Sequence, residues 1–345
     1  MMVARYLPVI AFLAFLFSPR AAAPIEGATQ RGKVVVIQSE KATQTFNPQP
    51  RVIREMVNHG LQSVTGKTSN TAAWLSLLTT NDVIGLKVYS SPGGSAGTRT
   101  AVVGAVIESL FQAGISAKNI IVWDRRISDL RQAGFFDLAA KYQVRVEGAQ
   151  EEGYDPEVSY STPLIGNLVF GDLEFGMKGV GIGRNSYVSK ILTREVTKIV
   201  NITPLLNHNT AGVSGVLYGL TMGSVDNFLR FESDEERLAT AVPEIYALPQ
   251  VGDRVILNIV DALICQYQGE ERTLLHYATT LNQLWFSFDP VALDVLAIEK
   301  LQFERKRANA PEPKFNAQIY RNSALMDLGI AESSKVKVEK ELLAK

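Results

Sequence analysis

The sequence predicts an α/β fold: a mostly parallel sheet with helices on both faces, plus a Gly- and aromatic-rich β insertion. Three observations predict it. Short β-branched runs alternate with amphipathic segments along most of the 345 residues. One strand–helix–strand unit fits into about 40 residues, the length of a right-handed crossover between parallel strands. One stretch, about residues 153–190, is crowded with Gly and aromatics and has no helical period.

The elements follow in order. "GKVVVIQS" is a β-branched strand. In "QPRVIREMVNHGLQSVTG", Val52, Ile53, Met56, Val57 and Leu61 recur at helical spacing. "NTAAWLSLL" is a second helical piece. "DVIGLKVYSS" is a strand, "PGGSAGT" a Gly-rich loop and "RTAVVGAVIESLFQAG" a helix that stops at Gly114. "NIIVWD" completes the crossover. "ISDLRQAGFFDLAAKYQ" reads as helix and "VRVEGA" as the next strand. After the insertion, "TKIVNITPL" resumes the parallel sheet, and a helix lies within the stretch that follows it. "SDEERLATAVPEIYAL" carries a capping box, with Ser233 as N-cap and Glu236 three residues on. "RVILNIVDALI" is the most apolar strand and belongs near the centre. "LWFSF" is a strand. "DPVALDVLAIEKLQFERK" is a helix opened by Asp289 as N-cap and Pro290 at its first position. "KFNAQIYRNSALMDLGI" is the last helix, and the charged "KVKVEKEL" suits a sheet edge.

Composition narrows the partners. The chain has 35 basic and 35 acidic residues, so nothing favours nucleic acid. At the N-terminus, Arg5 precedes an apolar run from Tyr6 to Phe17 and the small residues Ala21–Ala23. That order is a secretory signal, with cleavage expected near Ala23. The run is short of the roughly 20 apolar residues that span a bilayer. The expectation is a signal over residues 1–23, then one α/β domain over 24–345, extracytoplasmic and without a stable membrane span. The sole cysteine, Cys265, forms no intramolecular disulfide and cannot hold a four-cysteine iron–sulfur cluster. No paired cysteines and no histidines at helical spacing mark a zinc site, and no metal ligand is assigned.

The segments "TAAWLSLLTTNDVIGLKVYSS", "VIESLFQAGISAKNIIVWD", "KIVNITPLLNHNTAGVSGVLYGLTMGSVDN", "VILNIVDAL" and "FSFDPVALDVLAIEKL" occur in this order. Together, from about Gly32 onward, they resemble the domain-of-unknown-function family 362. The resemblance implies an α/β fold and no settled activity. Many relatives carry a ferredoxin-like, Cys-rich module that this chain lacks. Where the family usually has an Asn after the strand lysine and valine, this chain has Tyr89; where it commonly has a Lys two before the histidine, it has Leu206. "LFQAGISAKNIIV" is also similar to the crossover of the nickel-pincer lactate racemases, whose histidine set is absent here.

In open parallel sheets, ligands bind outside the carboxyl ends of the strands. By that rule "DVIGLKVYSS" delivers Lys87, Ser90 and Ser91, and "NIIVWD" delivers Asp124 and Arg125. "KIVNITPLLNHN" delivers Asn207, His208 and Asn209, and "ILNIVDA" delivers Asp261. His208 is the candidate acid/base near neutral pH, with Lys87, Asp124 and Asp261 as its catalytic companions. Ser90, Ser91, Arg125, Asn207, Asn209 and Arg184 are the candidate substrate contacts, Arg184 from a lid-like "GVGIGR" loop. Each has a plain structural alternative. Lys87 can snorkel, Asp124 can order a turn, and Asp261 can pair with Lys87 or Arg125. The expected function is an exported enzyme acting on a small anionic or carbonyl substrate. The alternatives are a small-molecule binding protein without turnover, or a partner or electron-transfer subunit lacking its cluster module.

Overall fold

The computed structural model describes residues 31–232, 234–311, 313, 315 and 317–343. The signal expected over residues 1–23 and Ser233 lie outside the described residues.

The chain opens with β1 (Lys33–Gln38) and a two-stranded ribbon, β2 (Thr43–Gln44) with β3 (Asn47–Pro48). Helices α1 (Pro50–Thr65) and α2 (Asn70–Leu75) lead to β4 (Ile84–Val88). The short α3 (Gly93–Ala96) and the longer α4 (Thr100–Gln112) then cross to β5 (Ile120–Asp124). Gly114 adopts φ +85° just past α4, the left-handed stop its position predicts. The "ISDLRQAGFFDLAAKYQ" segment is not one helix but two, α5 (Ile127–Gln132) and α6 (Phe135–Tyr142). Gly134, at φ +85°, breaks the run between them.

β6 (Arg145–Gly148) and α7 (Ala149–Glu152) precede the insertion. There β7 (Tyr154–Ser161) pairs antiparallel with β8 (Asn185–Ser189), and the residues between form a long excursion. Next come β9 (Lys198–His208), β10 (Gly212–Val213), α8 (Val216–Ser224), α9 (Leu229–Glu232) and α10 (Glu235–Tyr246). The cap of α10 is Asp234, whose carboxylate accepts from the backbone N–H groups of Glu236 and Arg237. This moves the expected cap one residue on, because aspartate accepts at that position at least as well as serine. β11 (Val255–Gln266), β12 (Ala278–Ser287), α11 (Pro290–Arg307), α12 (Gln318–Leu325) and β13 (Lys337–Leu342) complete the chain. Asp289 caps α11 through Ala292 N at 2.8 Å and also accepts from Gly32 N and Ile330 N, tying three segments together.

The large sheet runs β13-β1-β12-β11-β9-β4-β5-β6. Along this path β12 alone is antiparallel to its neighbours, β1 and β11. The charged strand β13 stands at the edge, and β11 lies inside the sheet between β12 and β9. Side-chain alternation divides the interior into two cores, as a sheet covered on both faces requires. On one face Val35, Ile37 and Leu86 meet Met56 of α1 and Val106 of α4. On the other, Val34 and Ile199 join Leu217 of α8, Val242 of α10 and Leu293 of α11. Gly60 marks how closely α1 approaches the sheet: a Cβ there would lie 2.1 Å from the Phe286 ring.

Candidate functional site

The carboxyl ends of β5 and β9 open into a cleft of about 480 Å³. Arg125 and Arg126 follow β5, His208 ends β9, and Tyr218 projects from α8. Phe228 and Glu232 form another wall, and the loop Gly269–Arg272 after β11 covers part of the mouth. A recess beside it is lined by Tyr89, Ser91, Asp124, Arg125, Tyr218 and Glu271. Arg125, Tyr218 and Glu271 belong to both spaces.

Lys87 and Asp124 meet, but beneath the cleft rather than in it. Lys87 Nζ donates to Asp124 Oδ1 at 2.8 Å and to the Val88 carbonyl at 2.5 Å. Asp124 Oδ2 accepts from Ser90 N at 2.7 Å and Ser90 Oγ at 2.6 Å. Lys87 is 1% exposed, so it is a buried ion-pair partner and not a snorkelling surface lysine. Burial lowers the lysine ammonium, against the pull of Asp124. Burial also works to raise the Asp124 carboxyl, but Lys87 and Ser90 outweigh it and hold it below its ordinary value. Gly223 of α8 closes over the lysine; a Cβ there would lie 2.6 Å from Lys87 Cε.

Asp261 does not join them. Its neighbours Ile259 and Leu263 pack in the core on the α1–α4 side, and alternation puts Asp261 there too. Leu86 and Val88 belong to that same core, so Lys87 between them faces the other way. Asp261 pairs with Arg99 instead of Lys87 or Arg125: the guanidinium lies 3.0 Å from Oδ1, and Arg99 N donates to Oδ2 at 3.0 Å. Arg99 is the N-cap of α4, so the protein's own aspartate occupies the helix end that the Gly-rich loop could have offered an external anion.

Arg125 lines the cleft with no carboxylate partner among the described residues. Its guanidinium lies over the Phe228 ring, 4.0 Å from the centroid. Its Nε is buried and meets no acceptor. Among the described residues it forms no ion pair within 4.0 Å, since Asp124 is taken by Lys87 and Ser90. Burial opposes its charge, but the combined fields of Asp124, Tyr218, Tyr89 and Glu232 outweigh burial and keep the group protonated.

His208 lines the cleft and packs against the Tyr218 ring at 4.2 Å. Its Nδ1 accepts from Ala211 N at 3.0 Å, so the neutral ring carries its proton on Nε2. Burial depresses its pKa below the ordinary 6.5, with Glu270 and Glu271 pulling the other way. The folded state thus binds fewer protons here than the unfolded chain. The stability this adds is complete above about pH 6.5 and is lost as pH falls. We expect the His208 ring to titrate below 6.5 by NMR, and Glu270→Gln to lower the midpoint further; a midpoint above 6.5 would contradict the burial argument.

The remaining candidates divide. Ser90 serves Asp124, while Ser91 lines the recess. Asn207 Oδ1 accepts from Glu270 N, and Glu270 Oε1 accepts from Asn209 N; both asparagines hold the covering loop rather than line the cleft. Arg184 is exposed on the excursion, away from the cleft lining. Asp226 and Asn227 also serve the excursion. Asp226 accepts from Leu173 N and Tyr187 N, and burial pushes its pKa up to about 7. Asn227 donates to the Gly183 and Asn185 carbonyls. With Asp124, Asp226 and Asp261 so dispersed, they form no shared carboxylate site. Among the described residues no group of three or more His, Cys, Asp or Glu side chains could hold a metal ion. Cys265 is buried, and burial pushes its thiol up to about 12.

Sequence reasoning missed Glu232, Glu270, Glu271, Arg272 and Tyr218. Three of these were within reach of the strand-end rule. β11 continues through a bulge to Gln266, so its carboxyl end delivers "QGEER" and not Asp261. Tyr89, at the family's usual Asn position, donates to Glu271 Oε1 at 2.8 Å and anchors that loop.

Fold and site together define an α/β protein with a strand-end cleft. The chain belongs to the DUF362 family: the domain of unknown function DUF362 matches residues 84–299. No curated protein sequence matches it. A crystal structure of a Thermotoga maritima protein is similar over 75% of this chain at 12% identity, with a TM-score of 0.42. The matched region spans 59% of that protein's length. No helix among the described residues is long and apolar enough to cross a membrane.

Proposed function

We propose that the cleft binds a small organic molecule through an anionic group seated on Arg125. The supporting observation is the guanidinium itself: stacked on Phe228, its Nε buried, and the carboxylate of Asp124, its neighbour in the chain, already paired with Lys87. A planar fork with open donors suits a carboxylate or phosphate, which it can hold through two hydrogen bonds. The volume lies in the range of small-ligand pockets. Binding is the core of the reading. Turnover is the second reading, favoured by His208: its Nε2–H is the ring position left free, beside Tyr218 and its partner Glu232. In that reading His208 and Tyr218 move protons at the bound molecule, while Lys87 and Asp124 position Ser90 and the strand ends beneath it. Asp261 takes no part, because it lies on the opposite face. The positive, short apolar leader supports export before the cleft meets its ligand, which cell fractionation of the tagged chain checks.

The test is a calorimetric screen of small carboxylates and phosphates. Arg125→Gln should weaken the best of them by about 30-fold or more, the size of a lost charge-assisted contact of about 2 kcal/mol. Arg125→Lys should recover only part, because an ammonium cannot reproduce the fork. Unchanged affinity in Arg125→Gln would remove the anchor.

A further inference from the structure

The cleft lining carries three guanidinium groups, of Arg125, Arg126 and Arg272, and three carboxylates, of Glu232, Glu270 and Glu271. Opposite charges in one cleft ordinarily neutralise each other by contact. Here they do not: among the described residues no ion pair within 4.0 Å joins any of the six. Each carboxylate is instead steadied by a neutral donor on one oxygen. Tyr218 Oη donates to Glu232 Oε1 at 2.5 Å, Asn209 N to Glu270 Oε1 at 2.7 Å, and Tyr89 Oη to Glu271 Oε1 at 2.8 Å. These bonds fix the acids in place and leave each Oε2 without a protein donor among the described residues. Burial raises the Glu232 carboxyl, so a cation placed beside it gains more than it would at a wet surface. A ligand bearing only negative charge meets the Arg125 fork but is opposed by three carboxylates across a cleft whose formal lining charge is nil.

We propose that the ligand is dipolar: an aminocarboxylate of amino-acid size, its carboxylate on Arg125 and its ammonium on the Glu232, Glu270 and Glu271 side. This rests on the anionic anchor proposed above and adds the second charge.

Matched pairs of compounds test it on the full chain by calorimetry: alanine with propionate, glutamate with glutarate, and lysine with cadaverine. We expect at least one compound carrying both charges to bind tenfold or more tighter than its partner lacking the amine, and cadaverine, which has no carboxylate, to bind worst. Glu232→Gln should weaken the dipolar compound and tighten its desamino partner. That opposite movement is one a merely structural glutamate would not produce. If desamino acids bind as well as their amino partners, the dipolar proposal falls and the Arg125 anchor stands. If neither class binds, both fall. If Glu232→Gln shifts the two compounds in the same direction, Glu232 is structural and the proposal falls with it.

Discussion

Lys87→Met should destabilise the protein by about 3–5 kcal/mol, the cost of leaving one member of a buried ion pair uncompensated. Asp124 would keep its two contacts with Ser90 but lose the ammonium 2.8 Å away. The sign with pH discriminates this from simple loss of packing. In the native pair the Asp124 carboxyl is held low, so it adds stability above the unfolded carboxylate range and loses it as pH falls. Without Lys87, burial dominates and raises that carboxyl, so the stability of the variant should fall as pH rises from 5 to 8. Denaturant unfolding of Lys87→Met at both pH values measures it. The double variant Lys87→Met, Asp124→Asn should recover much of the loss, because no charge is then left buried. A loss under about 1 kcal/mol, equal at both pH values, would show that the pair does not hold the strand ends together.

The second large effect concerns Arg230. Its guanidinium donates to Ser186 Oγ, Thr162 Oγ1 and the carbonyls of Tyr160, Leu164 and Arg184. Burial pulls its pKa down to about 10, which still leaves it charged at neutral pH. Arg230→Met strips these acceptors of their donor and should cost about 3 kcal/mol or more, since hydrogen bonds to charged groups are worth about 1.5–3 each. The loss should be local first. Limited proteolysis between residues 162 and 184 should accelerate, and cleft affinity should fall with it, because Phe228 and Glu232 flank the substituted residue. Faster proteolysis with unchanged affinity would separate the excursion from the cleft.

The fold was legible because its signals are local. The β-branched runs, the Asp289–Pro290 start and the Gly114 stop all act within a few residues of where they are read. Gly134 was legible too, but a continuous amphipathic pattern on either side masked the break. The site was less legible for a different reason. Lys87 and Asp124 were correctly joined to one region, yet exposure separates a ligand contact from a support beneath it, and no spacing encodes exposure. Asp261 looked like a strand end because it is a charge directly after the apolar run "ILNIV", whereas β11 bulges and runs on to Gln266. The "GEER" loop reads as solvated. Bonds with Asn207, Asn209 and Tyr89, 61 to 182 positions away, help to turn it over the cleft. Leu206, two before His208, is buried in the core, so no charge enters the cleft from there.

The segment from Asp226 to Glu232 faces two ways, bonded to the excursion on one side and walling the cleft on the other. An insertion so placed is no ornament on the scaffold. Relatives that shorten or lengthen residues 162–184 would reshape the binding wall before they disturbed the sheet, so chemical preference could diversify here while the architecture stayed fixed.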